Sequence, residues 1–344
     1  MGRKKQMIIS VDLGYGYVKA LNNKNDREVL FHSVVAPAGE DLLDSDLGFS
    51  TTIGHKVQIR GKNSLNRNNL LVGELALIEG RAAQMTLSRD RFSRDTSVSL
   101  MMTAAYLAGG EGNITLAAGL PLAYYKNQKE AALKALRGLG CYIKVDDGKE
   151  TLVNFSRVYV YPQCVGALFS YTNIPEKGII GIIDIGYHTT DYLLAEVRPG
   201  GLRPLTTYMS TVEVGIHTAV KRFAKIFSDK TGRPLSMIEA QRLWDKDTVG
   251  RRNIDLRPMK EAAREEAGKA VAESVYNAWS EQLDFINEIV LAGGGAIEFY
   301  DILNNYLQGV ELLDDPQFSN CKGFLSMAEA EELMVEDTTP ANNL

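Results

Sequence analysis

Two aspartates, Asp12 and Asp184, each end an apolar run and open the same tetrapeptide, Asp-Leu-Gly-Tyr in the first half and Asp-Ile-Gly-Tyr in the second. A carboxylate at the mouth of a glycine turn suits one chemistry well. Like charges keep it from binding phosphate directly, but it can hold a hydrated Mg2+ ion that bridges phosphates. The glycines beside it let the backbone turn sharply and bring amide N–H groups close to a ligand. In the first copy the turn is Gly14-Tyr15-Gly16-Tyr17, and Lys19 follows on the next strand, where its ammonium can reach phosphate oxygens. In the second copy Gly186, Tyr187, His188, Thr189 and Thr190 follow Asp184, and the threonines add hydroxyl donors. Taken singly, either copy is also a plain β-hairpin whose glycines serve only the turn. One copy in each half points instead to two related domains with matching phosphate loops.

Two further segments carry candidate chemistry. Gly293, Gly294 and Gly295 stand in a row between a strand and a helix. Three consecutive glycines are expensive in chain entropy, and a flat ligand pressed on the backbone explains them better than a turn alone. The segment is neither G-x-G-x-x-G nor the P-loop pattern, and the P-loop pattern occurs nowhere in the chain. Gln163, at a strand-to-helix turn, can hold a water in line with a phosphorus atom without being ionised; helix capping is the equally good plain reading. His188, a polar loop histidine, reads more simply as a bystander than as an acid–base group.

These residues need strands that end at the loops and helices that back them. Residues 7–36 read as a meander of three strands, 38–70 as an irregular insertion with short hairpins, and 70–77 as a further strand or turn. A helix over 95–108 stops at Gly109-Gly110, and a buried strand over 113–125 ends in Gly119-Leu120-Pro121. Helix 128–140, strand 152–163 and a helix from Val165 complete the half. Strands over 178–186, 189–197 and 205–214 then repeat the theme, followed by helix 215–227. A mostly helical stretch runs over 236–285, with a stripe of Ala267, Val271, Val275, Ala278 and Gln282. Strand, glycine turn and helix follow over 288–303, then a last helix over 318–333. Residues 1–5 read as a frayed terminus and 336–344 as a disordered tail.

With 344 residues, 45% hydrophobic and 24% charged, the chain has the composition of a soluble globular protein of about two domains. A net charge of −5 does not mark the whole surface for nucleic acid, so DNA contact is expected through a partner or a local patch. No apolar run reaches the roughly 20 residues of a membrane span, and no anchor helix or signal peptide is read. Three scattered cysteines and four histidines give no zinc pattern or disulfide framework and fit a reducing cytoplasm.

In this order the segments resemble the actin, Hsp70 and sugar-kinase ATPase superfamily. Asp12 to Lys19 matches its first phosphate motif and Asp184 to Asp191 its second. Gln163 to Ala167 falls on the first connecting segment, Phe318 to Gly323 on the second, and Gly293 to Gly295 on the adenosine motif. Gly119-Leu120-Pro121 with Tyr124-Tyr125 is similar to the ParM and StbA group, as are Pro162-Gln163 with Gly166-Ala167, which lean to its archaeal relatives. Bacterial ParM proteins often carry Glu at the position of Gln163.

The resemblance implies an α/β, actin-like two-domain fold of duplicated ribonuclease H-like units with nucleotide in the interdomain cleft. Domain I is expected over 1–165, domain II over 166–317, and a return to domain I over 318–344. It implies ATP, or GTP, with Mg2+ held through water by Asp12 and Asp184. Gln163 and Asp184 are then the catalytic pair, Gln163 orienting water and Asp184 taking up its proton late. It further implies NTP hydrolysis coupled to self-polymerisation. The filaments would segregate plasmid DNA in the cytoplasm through a ParR-type DNA-binding adaptor at a centromere site. A small-molecule kinase of the same superfamily and a non-segregating cytoskeletal scaffold are the rival readings.

Overall fold

The computed structural model of the chain describes residues 6–25, 27–39, 54–80, 82–85, 92, 95–251 and 253–338. Contacts divide the chain into two units, Met1–Ser170 with Asn320–Leu344, and Tyr171–Ser319. The expected frayed terminus over 1–5 lies outside the described residues, as do 40–53 of the expected insertion.

The first unit opens with β1 (Ile8–Leu13), β2 (Tyr17–Asn22), β3 (Val29–His32) and β4 (Val34–Pro37). All six residues of β1 are buried, which its near-continuous apolar run requires of a strand covered on both faces. The expected third strand is split by Ser33, which is wholly buried and turns its hydrogen bonds to the first glycine loop. After it come the hairpin β5 (His55–Gly61) and β6 (Asn68–Val72), then α1 (Glu74–Glu79), where a strand or turn was expected, and β7 (Gln84–Met85). Helix α2 (Asp95–Leu107) precedes β8 (Gly112–Leu120).

Helix α3 (Leu122–Leu136) starts six residues before the expected 128. Leu122 to Tyr125 read as strand because they are apolar and aromatic. Pro121, at the N-cap, ends the strand and opens the helix, since the helix start needs no N–H from it. Next come β9 (Gly140–Val145), absent from the sequence reading, then β10 (Thr151–Pro162) and α4 (Val165–Ser170). The sheet order is β3-β2-β1-β8-β10-β9-β5-β6-β4-β7, with β1, β8 and β10 mutually parallel.

The second unit begins with β11 (Gly178–Ile185), β12 (Thr190–Arg198) and β13 (Gly201–Val212), then α5 (Ile216–Thr231) and α6 (Met237–Trp244). The expected helical stretch is interrupted by a small hairpin, β14 (Thr248–Val249) with β15 (Ile254–Asp255), before α7 (Arg257–Trp279). Ala267, Val271 and Val275 are buried on α7 as expected; Gln282 lies beyond its end. The anchor there is Trp279, wholly buried, whose ring occupies the place where a Cβ on Gly181 of β11 would sit, 2.9 Å away. Its indole N–H donates to Tyr208 O at 3.1 Å. Then follow β16 (Ile286–Ala292), α8 (Ala296–Leu307) and β17 (Val310–Leu312), in sheet order β13-β12-β11-β16-β17.

This order repeats β3-β2-β1-β8-β10 of the first unit: a three-strand antiparallel meander whose first strand pairs in parallel with the strand before a helix. The duplication suggested by two tetrapeptides is therefore a duplication of sheet topology. The final helix, α9 (Ser319–Thr338), belongs to the first unit and runs past the expected end at 333 through the start of the supposed tail; 339–344 lie outside the described residues. Among the described residues no helix is long and apolar enough to cross a membrane, and Cys141, Cys164 and Cys321 are buried and form no disulfide.

Candidate functional site

In the first unit Asp12 lies at the end of β1 and is 3% exposed. The register of the hairpin sets Lys19 opposite it, and the ammonium lies 3.0 Å from Asp12 Oδ2. A buried carboxylate requires such partners. Its other oxygen accepts a hydrogen bond from Gln163 Nε2 at 2.6 Å, so Asp12, Lys19 and Gln163 form one cluster. Gln163 reaches it because β10 runs parallel to β8 and ends beside Gly119, where a Cβ would lie 2.4 Å from the Phe324 ring and 3.2 Å from Gln163 Cγ.

The loop between β1 and β2 is tight. A Cβ on Gly14 would stand 2.5 Å from Tyr17 O. The Gly14 N–H donates to Asp12 O at 3.0 Å, and Ser33 fastens the turn through its N–H to Gly16 O at 2.9 Å and its hydroxyl to Gly14 O at 2.6 Å. The amide of Gly14 is thus part of the turn itself, which shifts any amide contribution to a ligand toward Tyr15 and Gly16. The Tyr15 side chain is buried, and the Tyr17 ring lies 4.3 Å from that of His32.

In the second unit Asp184 ends β11 and is 7% exposed. Its loop closes through Gly186 N–H to Thr189 O at 2.9 Å. Thr190 directs its hydroxyl to Val214 O at 2.8 Å, and Tyr187 directs its own to Gln241 Oε1 at 2.8 Å. Gly293 has φ +83, and a Cβ there would come within 2.4 Å of both Asp184 Oδ1 and Ile185 O. Gly295 donates its N–H to Ile185 O at 2.9 Å and is walled by the Ile185 and Ile216 side chains. Gly294 is the roomy one of the three, with Gln317 at 3.8 Å. The glycine run therefore packs against the second aspartate loop, and the structure brings Asp184, Gly186 to Thr190 and Gly293 to Gly295 together within this unit.

Among the described residues no group of three or more His, Cys, Asp or Glu could hold a metal ion. A cage of protein ligands is thereby unsuited to these loops, whereas a mostly hydrated Mg2+ needs only one or two carboxylates. Asp12 and Asp184, each buried near the end of the first strand of its own unit, are carboxylates of the kind such an ion takes.

The actin-like proteins N-terminal domain model matches residues 10–166, and the C-terminal model of the archaeal actin homologue MreB-like matches 182–305. The chain belongs to the actin-like protein family. Both aspartate loops, Gln163 and the glycine run lie inside the matched regions. The actin-like chain is 21% identical to an archaeal actin homolog of Thermoplasma volcanium, over 94% of this chain and 99% of that one. In structure it is similar to ParM of the 15-stranded filament from Clostridium botulinum, with TM-score 0.85 and 24% identity over 95% of this chain and 100% of that one. It is also similar to Ta0583, an archaeal actin homolog solved in complex with ADP, with TM-score 0.76 and 19% identity over 94% and 99%. The α/β two-domain actin-like fold is shared with both of these structures.

Sequence reading missed Ser33, Gly119 and His217 around these actin-like loops. Ser33 and His217 reach their loops through strand pairing and helix entry, and no local pattern in the sequence marks that.

Proposed function

We propose that this chain binds ATP or GTP with Mg2+, hydrolyses it, and polymerises with itself into nucleotide-dependent filaments. The supporting observation is the repeated strand, buried carboxylate and glycine turn at one topological position in both units. Asp12 and Asp184 would hold the hydrated ion, which when bound neutralises charge on the phosphate oxygens. Lys19 adds positive charge to the first loop. Thr189 and the amides after Gly186 serve the second, and Gly293 to Gly295 take the nucleoside.

Gln163 already donates its amide N–H to Asp12, which leaves its carbonyl oxygen to accept a hydrogen bond from the attacking water and so aim it. Asp184 takes up a proton from that water late in the reaction. Phosphoryl transfer needs mainly positioning and charge neutralisation, so no strong base is required. For Gln163→Ala, near-normal nucleotide affinity is expected with turnover reduced about ten- to a hundredfold. Equal turnover in single-cycle phosphate release would remove Gln163 from the mechanism.

Self-assembly is supported by the similarity to a ParM that forms a 15-stranded filament and to a ParM described through a non-polymerisable mutant. The same likeness favours plasmid DNA segregation through a ParR-type adaptor. Light scattering with Mg-ATP, Mg-ADP and no nucleotide tests the switch: a rise confined to the triphosphate is expected, and assembly indifferent to nucleotide would refute it. Electron microscopy of the same samples separates filaments from a kinase or an inert scaffold.

A further inference from the structure

The two units share a topology but not a charge pattern. In the first hairpin the residue paired with the motif aspartate is Lys19, opposite Asp12; in the second it is Asp191, opposite Asp184. Asp191 is buried and accepts a hydrogen bond from the Thr211 hydroxyl. The second loop therefore has a carboxylate where the first has a fixed cation. A loop that is to hold polyphosphate needs compensating positive charge from elsewhere.

Two of the chain's four histidines meet there. His188 is in the loop, and His217 is in the first turn of α5. Their ring centroids are 5.6 Å apart at 71°, and the Tyr187 ring lies 5.4 Å from that of His217. Backbone contacts fix the arrangement. Ile216 N–H donates to Gly186 O at 3.3 Å and His217 N–H to Tyr187 O at 2.6 Å. Gly215 permits this approach, since a Cβ there would stand 2.6 Å from Gly186 O and 2.8 Å from Tyr187 O. The loop and the start of α5 are thus joined backbone to backbone.

His217 Nδ1 is buried without a hydrogen-bond partner. Such a nitrogen carries a desolvation penalty that calls for an explanation. The titratable groups acting on the ring are His188 from the loop and Lys221 from the next turn of α5; the Tyr187 hydroxyl is directed away, to Gln241. Burial first, then His188 and Lys221, hold His217 below the ordinary imidazole value, so it is neutral at pH 7. With an imidazole and a lysine but no carboxylate among the groups acting on it, His217 is a base whose charged form a bound anion would favour.

We propose that His217 is a positioning residue for polyphosphate at the second loop, and that it takes up a proton from solvent as the nucleotide binds and returns it as the nucleotide leaves. This rests on the nucleotide reading above. The ligand's negative charge favours the imidazolium, so the midpoint of His217 rises on binding. Affinity then strengthens as pH falls between the free and bound midpoints. The conditional cation takes the place that Lys19 fills permanently in the first unit.

The test follows the ring protons of the four histidines by NMR in the full chain, titrated with and without saturating Mg-ADP, with His217→Gln and His188→Gln for assignment. The His217 midpoint is expected below 6.5 in the free protein and higher with Mg-ADP bound. In parallel, displacement of a fluorescent nucleotide is measured at about pH 6 and about pH 8. Wild-type affinity should gain about threefold or more over that of His217→Gln between the two; the nucleotide's own ionisation is common to both proteins. Mg-ADP that binds while the His217 midpoint stays fixed, or an equal pH slope in His217→Gln, overturns the inference alone. Mg-ADP that does not bind at either pH overturns the nucleotide reading and this inference with it. Should His217→Gln fail to fold, the wild-type titration decides.

Discussion

Asp12→Asn should lower NTP turnover by about 10²- to 10³-fold, the effect of losing one preorganised charge at a phosphoryl-transfer site. It should also destabilise the first unit. The carboxylate is 3% exposed, with Lys19 at 3.0 Å on one oxygen and Gln163 at 2.6 Å on the other. Asparagine keeps an acceptor for Gln163 but presents an amide donor to the ammonium. Lys19 is itself only 11% exposed at the side chain. Removing one member of a buried pair costs about 3–5 kcal/mol, because the other charge loses the partner that offsets its desolvation. Removing both is far milder.

The double variant Asp12→Asn with Lys19→Met should therefore regain most of the lost thermal stability and none of the turnover. Phosphate release and thermal unfolding on the three proteins separate the two effects. An Asp12→Asn protein within about threefold of wild-type turnover would end the claim that this carboxylate serves the chemistry.

Much of this cluster was legible in the sequence because it is local. The Asp12-to-Lys19 hairpin reads as strand, turn and strand from its period, with Lys19 on the second strand; that its ammonium meets Asp12 comes from the register. The same holds for β11 and β12. The glycine run was legible as a backbone that something presses on, and Asp184 Oδ1 and the Ile185 carbonyl are found pressed against Gly293.

What escaped the sequence depends on pairings between distant segments. Gln163 was read as a residue aimed at water, and its hydrogen bond to Asp12 follows from β10 lying beside β8, two strands from β1. Ser33 looked like the middle of a strand; a buried serine bonded to a loop carbonyl has the same period as one facing solvent. The early start of α3 was hidden because Leu122 to Tyr125 suit a strand by composition, and only the proline before them marks the change. His217 looked like an ordinary residue of an amphipathic helix, and only the backbone bonds between that helix and the loop make it a neighbour of His188. Paired aspartates thus carry the duplication, while the difference between the copies lies in residues such as Asp191 and His217, whose meaning needs the register.

Gly323→Ala should be a severely damaging small substitution. A Cβ at Gly323 would stand 1.8 Å from Gly166 O and 2.5 Å from its carbonyl carbon, both backbone atoms of α4 that no rotamer change can move aside. Gly166 is equally confined, with the Phe324 ring 2.4 Å from its own Cβ position. The two helices touch through bare backbone because of what Asn320 must reach. Its Oδ1 accepts the N–H groups of Cys164 at 3.0 Å and Ala167 at 3.2 Å, capping the start of α4, where Cys164 holds φ +67. Cys164 follows Gln163 directly, so this cap also holds the residue that contacts Asp12.

Pushing α9 away by one methyl group combines overpacking, at about 1–3 kcal/mol, with loss of a cap, at about 0.5–2 kcal/mol. The thermal midpoint should fall by about 4–10 °C, and further for Gly323→Val. Turnover should fall with it, through the displaced Gln163. Gly39→Ala is the control, since nothing lies within 4 Å of its Cβ position. The chain leaves the first unit just after α4 and re-enters it at the start of α9. A Gly323→Ala protein that melts with the Gly39→Ala control would mean that this crossing yields without loss and that Asn320 does not depend on it.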